Sequence, residues 1–441
     1  MNNNLKISDL ILQLEENEDL FKWQIQNVFV WEIIRVKLFL RIQELSVSES
    51  YGENENHSFL KIMKRLIIRI VKNCVFRNPF LSFKRKDVLL FESGRKYLYN
   101  DTYIDIYTYF IESKIKKDKK SIECYETNFL YDSVGASRKF HNDFISIFSK
   151  GLSKFIGVNF SRYDLDQMAK IENYILKTAN LDIKLEKIIS EEIKLFSVQN
   201  FFYGRLLDLR KPKEIYFVNY LNYFALVNQA KKRNIKVIEL QHGLIIRDAL
   251  MYHFPHCIEN SLKYFPTYFL LWKGFSGVNG KLPLSRKYLI EHDFNHLENI
   301  KSTFSYVKRE DKSILVASQP FFSNRIITYI LKNAPLMENY LFYYKLHPMQ
   351  FDNFFENPSA IKLLNIKNVK IIKNELSVYE LLSKCKYTIG IYSTVLFEAS
   401  IFNSKPLLLL TDETKYASSL IENNEGTAIS EQEQLLQILE L

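Results

Sequence analysis

The sequence predicts an α/β protein built from two parallel-sheet domains. Residues 214–218 read as a strand, 223–233 as a helix and 236–240 as a second strand, the strand–helix–strand unit that parallel sheets require. A second series of apolar runs, at 313–317, 340–345, 369–372, 387–391 and 407–410, recurs with helical stretches between its members. Glycine and proline are scarce, 12 and 10 among 441 residues, which excludes collagenous and linker-type architectures and leaves little room for glycine-rich phosphate loops. At roughly 100–200 residues per domain, this length suits two domains with an appendage.

Taken in order, residues 5–46 read as helices. Ile7, Leu10, Ile11 and Leu14 fall at helical spacing, and Trp31, Ile34, Leu38 and Leu40 continue a second amphipathic stretch. A polar break at 46–58 follows. From Lys61 to Lys86 there are nine basic residues and no acidic one, interleaved with Ile67, Ile68, Ile70, Val71, Val75, Phe76 and Phe80. Membrane-surface helices have this composition, as does a helix with a solvated basic face packed on its own domain. A first buried strand is expected at 87–91, alternating helix and strand over 101–125, helix over most of 140–200, a strand at 266–272 and a polar connection at 273–310. Ser377 and Glu380 form a capping-box pattern ahead of a helix ending near residue 384. The tail from Ile421 carries five Glu and no Lys or Arg, and is expected to end in a short helix. The expected organisation is therefore a helical, basic extension (1–86), a first domain (87–275), a linker (276–312) and a second domain (313–441).

Sixty Lys and Arg against fifty Asp and Glu give a net charge of +10, a bias that suits anionic partners without choosing among them. Cys74, Cys124, Cys257 and Cys385 are far apart and form no ligand cluster with histidine, so neither a disulfide framework nor a structural zinc is expected. The amino terminus carries acidic residues inside its apolar stretch, unlike a signal peptide, and no uncharged run of roughly 18 apolar residues is present. A soluble, cytoplasmic protein is expected. Walker A, HExxH and GxSxG motifs are absent. Asp164-Leu165-Asp166 is a DxD at the start of a helical stretch, where a first-turn charge pair is the simpler reading. No nucleic-acid reader module is visible, and no nucleic acid is expected as a partner.

Ligands of open parallel sheets bind at the carboxyl ends of strands, so the residues following each apolar run are the candidates. Gln241-His242-Gly243 follows VIEL. The glycine allows a sharp turn, and the near-neutral imidazole suits a general base, with a packed or capping histidine as the plainer alternative. Lys345-Leu346-His347-Pro348 follows YLFYY. The proline fixes a turn, which would hold His347 to donate to a phosphate oxygen. Ser393-Thr394 stands between YTIGI and a helix start, an anion site by virtue of its unpaired N–H groups. One turn on, Glu398 is placed to accept from ribose hydroxyls. Simple capping and a favourable first-turn charge are the alternatives for Ser393 and Glu398. Finally, Glu92-Ser93-Gly94-Arg95-Lys96 follows the first strand, with Asp101 and Asp105 downstream, and reads either as a carboxylate-bearing site or as an ordinary polar loop.

These clusters, in this order and with Lys405-Pro406 after Glu398, resemble the bacterial capsule and cell-wall polymer transferases of GT-B architecture. That group includes sialyltransferases, polysialyltransferases, capsular Kdo transferases and teichoic-acid glycerophosphotransferases. The likeness spans roughly residues 213–412. It implies two Rossmann-like domains facing across a cleft, donor on the second and acceptor on the first. It also implies that His347, Ser393 and Thr394 bind the phosphate of a cytidine-nucleotide donor, and that His242 is the base, with Glu92 or Asp105 next in line. Glu92-Ser93-Gly94 departs from the Asp/Glu-rich, Gly-containing motif that supplies the acidic base in sialyltransferases of this type. The function expected is transfer of a sugar from a nucleotide-activated donor, CMP-linked first of all, to a capsular or surface glycan, itself lipid-linked in many such systems, with no metal or other cofactor. The anionic inner membrane face would then be met through 61–86. A CDP-polyol phosphotransferase, a nucleotide-sugar 2-epimerase and a non-catalytic capsule-assembly scaffold are the rival readings.

Overall fold

A computed structural model describes residues 7–47, 72–99, 102–126, 140–247, 249–273, 278, 280–292, 296–351, 353–411 and 414–439. The chain divides into two compact units. The first comprises Met1–His242, Asp248–Lys273 and Gly280–His292; the second comprises Gly243–Arg247, Gly274–Asn279 and Asp293–Leu441. Both are α/β units built on wholly parallel main sheets.

The first sheet has seven strands: β1 (Val88–Phe91), β2 (Ile122–Glu126), β3 (Phe140–His141), β4 (Glu214–Phe217), β5 (Lys236–Leu240), β6 (Tyr268–Trp272) and β7 (Leu289–His292), in the spatial order β3-β2-β1-β4-β5-β6-β7. Central β1 pairs Val88 with Ile122 on one side and with Glu214 on the other. All four of its residues are buried, because a strand covered by helices on both faces needs an unbroken apolar run. The strand order reverses between β1 and β4, which places a crevice at their carboxyl ends.

Among the described residues this unit has seven helices: α1 (Ile7–Asn17), α2 (Val30–Val47), α3 (Tyr109–Lys117), α4 (Asp143–Leu152), α5 (Arg162–Ala179), α6 (Leu185–Arg210) and α7 (Phe224–Lys231). The helical stretch expected over 5–46 is interrupted by a small antiparallel hairpin, Gln24–Ile25 against Val28–Phe29, turned by Gln26 and Asn27 at positive φ. Leu40 is exposed; the buried stripe of α2 runs through Trp31, Ile34, Leu38 and Ile42 instead. Asp164 of the Asp164-Leu165-Asp166 run opens α5 in a capping box: Ser161 Oγ accepts from Asp164 N at 3.2 Å, Asp164 Oδ2 accepts from Ser161 N at 2.8 Å, and Trp23 Nε1 donates to Asp164 Oδ1 at 2.9 Å. The amino-terminal helices are integral to the unit. Buried Arg35 pairs with Glu15 and donates to the carbonyls of Leu250 and His253.

The second sheet orders β8 (Glu310–Ala317), β9 (Leu341–Lys345), β10 (Val369–Ile372), β11 (Cys385–Gly390), β12 (Lys405–Leu409) and β13 (Thr427–Ile429) as β10-β9-β8-β11-β12-β13, the doubly wound order of nucleotide-binding sheets. Its helices are α8 (His296–Thr303), α9 (Ser323–Asn333), α10 (Pro358–Leu363), α11 (Val378–Lys384), α12 (Thr394–Ile401), α13 (Ser418–Glu422) and α14 (Leu435–Leu439). Ile314, Val316, Phe342, Tyr344, Ile389 and Leu407 form one core with Ile326, Ile327 and Ile330 of α9. Burying one such side chain contributes about 1.5–3 kcal/mol.

Three expectations are corrected. Residues 273–310 are not a plain connection, since they contain β7 and α8. The acidic tail contributes an edge strand, β13, before its short helix. The basic stretch is not one helix over its described part. Lys72–Phe76 is a single π-type turn and Pro79–Leu81 a 3-10 turn, while Arg77 is paired with Glu126. Lys61, Lys64, Arg65 and Arg69 lie outside the described residues.

Candidate active site

At the carboxyl edge of the first sheet, Glu92, Ser93, Arg95, Tyr107, Asn142, Asn219 and His242 line one cavity of about 680 Å³. It opens where the strand order reverses, at the ends of β1, β4 and β5. His242 is partly buried there. Tyr107 Oη donates to its backbone carbonyl at 2.8 Å and receives Arg95 Nη1 at 3.0 Å. Burial, seconded by the Arg95 cation, pushes the imidazole down to about 4, so the ring is neutral at pH 7. Tyr252 Oη lies 3.0 Å from its Nδ1 and donates to Glu239 Oε1. A neutral imidazole beside a polar cavity can accept a proton from a bound hydroxyl.

The other expected residues of this edge do different work. Asp105 is fully buried and accepts four hydrogen bonds, from Ser93 Oγ (2.7 Å), Gly94 N (2.9 Å), Thr108 N (3.1 Å) and Thr108 Oγ1 (2.8 Å). Burial pushes its carboxyl above the usual range. It holds the loop after β1 and is corrected from a candidate base to a structural anchor. Glu92 Oε2 lies 2.8 Å from Lys96 Nζ, which also reaches Glu126 Oε1 at 3.0 Å. Its charge is therefore balanced inside the unit. Gln241 is buried, and its Oε1 accepts from Trp272 N at 2.8 Å, which ties β5 to β6.

At the carboxyl edge of the second sheet the reversal lies between β8 and β11. Gln319, just past β8, accepts from Ile391 N at 2.9 Å and Tyr392 N at 3.3 Å, which shapes the turn into Ser393. Ser393 caps α12, its Oγ accepting from Val395 N at 3.3 Å. Thr394 begins the helix; a Cβ added to Gly243, which belongs to the same unit, would lie 3.8 Å from its Cγ2. Gly243 and Thr394 are thus neighbours within the second unit. Glu398 is 4% exposed, one turn on.

His347 stands exposed at the amino end of a 3-10 turn, Pro348–Gln350, with Pro348 at its first position. His347 Nδ1 accepts from Met349 N at 3.2 Å. The proton of the neutral ring is therefore on Nε2, which makes that nitrogen a donor. Gln350 locks the turn. Its Oε1 accepts from Ser318 Oγ at 2.7 Å and its Nε2 donates to Ser323 Oγ at 3.0 Å. Lys345 Nζ donates to the carbonyl of Lys373, and burial lowers its ammonium below the ordinary value.

Tyr107, Glu239, Tyr252, Gln319 and Gln350 are absent from the sequence-based site. One signal for Glu239 was present: a carboxylate inside the otherwise apolar run of β5, where an ionisable side chain is rarely buried without a task. Among the described residues no group of three or more His, Cys, Asp or Glu is arranged to hold a metal, and all four cysteines are buried thiols.

No family model matches the chain. The uncharacterized protein MJ1060 of Methanocaldococcus jannaschii is 30% identical over 200 residues, 43% of this chain, and the match spans 34% of that relative's length. Among solved structures, UDP-GlcNAc 2-epimerase of M. jannaschii is similar over 81% of this chain and 92% of its own, at 12% identity and a TM-score of 0.47. The corresponding epimerase of Neisseria meningitidis, bound to UDP-GlcNAc, gives 81% and 89% coverage, 13% identity and 0.46. The glycosyltransferase SnogD of Streptomyces nogalater gives 81% and 90% coverage, 11% identity and 0.43.

Proposed function

We propose that the protein is a GT-B glycosyltransferase that moves a sugar from a nucleotide-activated donor, CMP-linked first of all, to a capsular or surface-polysaccharide acceptor without a metal ion. The observation that carries this reading is the position of the three motifs. Each of Gln241-His242-Gly243, Lys345-Leu346-His347-Pro348 and Ser393-Thr394 follows a parallel strand at the carboxyl edge of its sheet. On the second unit, His347 Nε2–H, the Ser393 and Thr394 hydroxyls and the amino end of α12 meet the donor phosphate, with Lys345 adding positive charge; Glu398 is assigned to the ribose. These groups stabilise the charge that builds on the leaving nucleotide. On the first unit, the cavity takes the acceptor against Asn142, Asn219 and its aromatic rings. The acceptor oxygen bonds to the anomeric carbon, the bond from that carbon to phosphate breaks, and His242 Nε2 takes the hydroxyl proton.

The test is product analysis with a panel of CMP-, CDP-, UDP- and GDP-sugars, with and without glycan acceptors. Nucleotide release that requires an acceptor is expected. Conversion of UDP-GlcNAc to its 2-epimer without an acceptor overturns the reading in favour of an epimerase. A transferred polyol phosphate favours the phosphotransferase, and turnover unaltered by both His242→Ala and His347→Ala favours a scaffold.

An anionic membrane surface is proposed as the place of work. Among the described residues no helix is long and apolar enough to cross a membrane. Phe76 and Phe83, within the basic run from Lys61 to Lys86, are 79% and 75% exposed, and Phe83 adjoins Lys84 and Arg85. Each basic residue near an anionic bilayer adds about 1 kcal/mol at most, and salt screens it. Co-sedimentation with phosphatidylserine vesicles at low salt and release at high salt is expected. Failure to bind at low ionic strength overturns this placement.

A further inference from the structure

We propose that Glu239 and Tyr252 are positioning residues that fix the tautomer of His242, keeping the ring proton on Nδ1 and leaving Nε2 as the proton-accepting nitrogen. The inference rests on the reading of His242 as the base. Glu239 Oε1 receives the backbone N–H of Asn219 at 3.1 Å and of Tyr220 at 3.3 Å. A backbone N–H can only donate, so Oε1 is an acceptor in every state of the carboxyl. Asn219 is held for this at a φ of 65°, a left-handed conformation that asparagine tolerates better than most side chains.

Tyr252 Oη reaches the same Oε1. A phenol has a single proton, and with Oε1 committed to accepting, that proton lies toward Glu239. Toward His242 the Tyr252 oxygen then offers only lone pairs. Nδ1, 3.0 Å away, must be the donor. The hydroxyl oxygen of a carboxylic acid is a far weaker acceptor than its carbonyl oxygen, and Oε1 takes two backbone N–H groups. A proton added to this carboxyl is thus placed on Oε2, which has no hydrogen-bond partner among the described residues and lies outside the path between Glu239 and Tyr252. The direction of the chain is therefore the same whether Glu239 is charged or neutral. That independence matters because burial pushes its carboxyl up to about 8. The neutral His242 ring has one N–H, and the chain decides which nitrogen carries it. Tyr252 is itself held from the amino-terminal helices, since Arg35 donates to Leu250 O and His253 O on either side of it. Tyr107 and Arg95 act on the His242 carbonyl and its charge, not on Nδ1.

The experiment is nitrogen-15 NMR of histidine-labelled protein, with the His242 signals assigned by their loss in His242→Gln. In the wild type at pH 7.5 the Nδ1–H tautomer is expected. Tyr252→Phe removes the acceptor, and the Nε2–H tautomer, which the free ring favours in water, should become the main form. Turnover should fall at least tenfold while nucleotide affinity stays within twofold. Glu239→Gln keeps the Oε1 acceptor and should retain the wild-type tautomer and most of the turnover. An Nε2–H tautomer in the wild type, or an Nδ1–H tautomer that persists in Tyr252→Phe, overturns the proposal. Turnover unchanged in His242→Gln overturns the base reading instead, and with it the catalytic sense of the relay, whatever the spectra show.

Discussion

At the edge of the first sheet His242 is partly buried among Tyr107, Tyr252 and Arg95, and its imidazole is pushed down to about 4. At the edge of the second sheet His347 is exposed at the head of a proline-fixed turn, and its Nδ1 accepts a backbone N–H. The two rings have the same chemistry in water and opposite offers in the fold. His347 presents a donor at Nε2, suited to an anion; His242, with Nδ1 facing Tyr252, presents an acceptor, suited to a hydroxyl. The difference comes from the neighbours: a main-chain N–H two residues on in one case, a buried carboxylate acting through a phenol in the other. A proton acceptor and an anion clamp are the two parts that the proposed transfer needs.

The largest effect should separate the two rings kinetically. His242→Ala removes a group that acts only as the transition state forms, so turnover should fall about 10²- to 10⁴-fold with nucleotide affinity intact. A loss below about threefold, under roughly 0.7 kcal/mol of barrier, makes His242 a packing residue. Next, His347→Ala should weaken nucleotide binding about ten- to a hundredfold, the loss of one charge-assisted hydrogen bond. Unchanged affinity for every nucleotide in a calorimetric screen removes the phosphate role.

Stability against pH sharpens the contrast. The unfolded His242 titrates near 6.5 and the folded one near 4. As pH falls, the unfolded chain therefore takes the proton first. The stability due to a neutral His242 is fully present above about pH 6.5 and is lost toward pH 4, on the order of 1–3 kcal/mol. Glu32 and Glu239, pushed up to about 7 and about 8, act with the opposite sign. Their contribution is present below about pH 4.5 and fades as pH rises through 7 and 8. His242→Gln should thus lose less stability than the wild type on acidification from 6.5 to 4. Parallel melting curves for the two proteins contradict the buried, neutral ring.

The smallest effect concerns Ser393. Ser393→Ala should destabilise the protein by about 1 kcal/mol through the lost cap, and Ser393→Gly by only a few tenths. If the hydroxyl also meets phosphate, both variants bind nucleotide equally poorly. Affinity that tracks stability instead leaves Ser393 as a cap alone.

Much of this was legible in the sequence, for physical reasons. β1 stands out because a strand covered on both faces must be apolar throughout, β5 because its run is apolar but for Lys236 and Glu239, and the polar residues just beyond them stand out by contrast. β7 was not legible, because Leu289–His292 is an edge strand whose residues are half-buried or exposed and carry no apolar run. Asp105 was misassigned because sequence shows a carboxylate but not the four donors that surround it. Tyr252 was not legible because sequence does not show how the 250–253 turn folds back to bring its hydroxyl to His242, a turn whose carbonyls Arg35, more than two hundred residues earlier, holds. The helical extension read as an appendage holds the carbonyls on either side of Tyr252 through Arg35.

The most direct measurement is calorimetric titration of CMP, CDP, UDP and GDP into wild type, His242→Ala and His347→Ala. The account predicts that at least one nucleotide binds the wild type and His242→Ala within twofold of each other and binds His347→Ala ten- to a hundredfold more weakly. Binding lost in His242→Ala and kept in His347→Ala, or no nucleotide bound by the wild type, would contradict it.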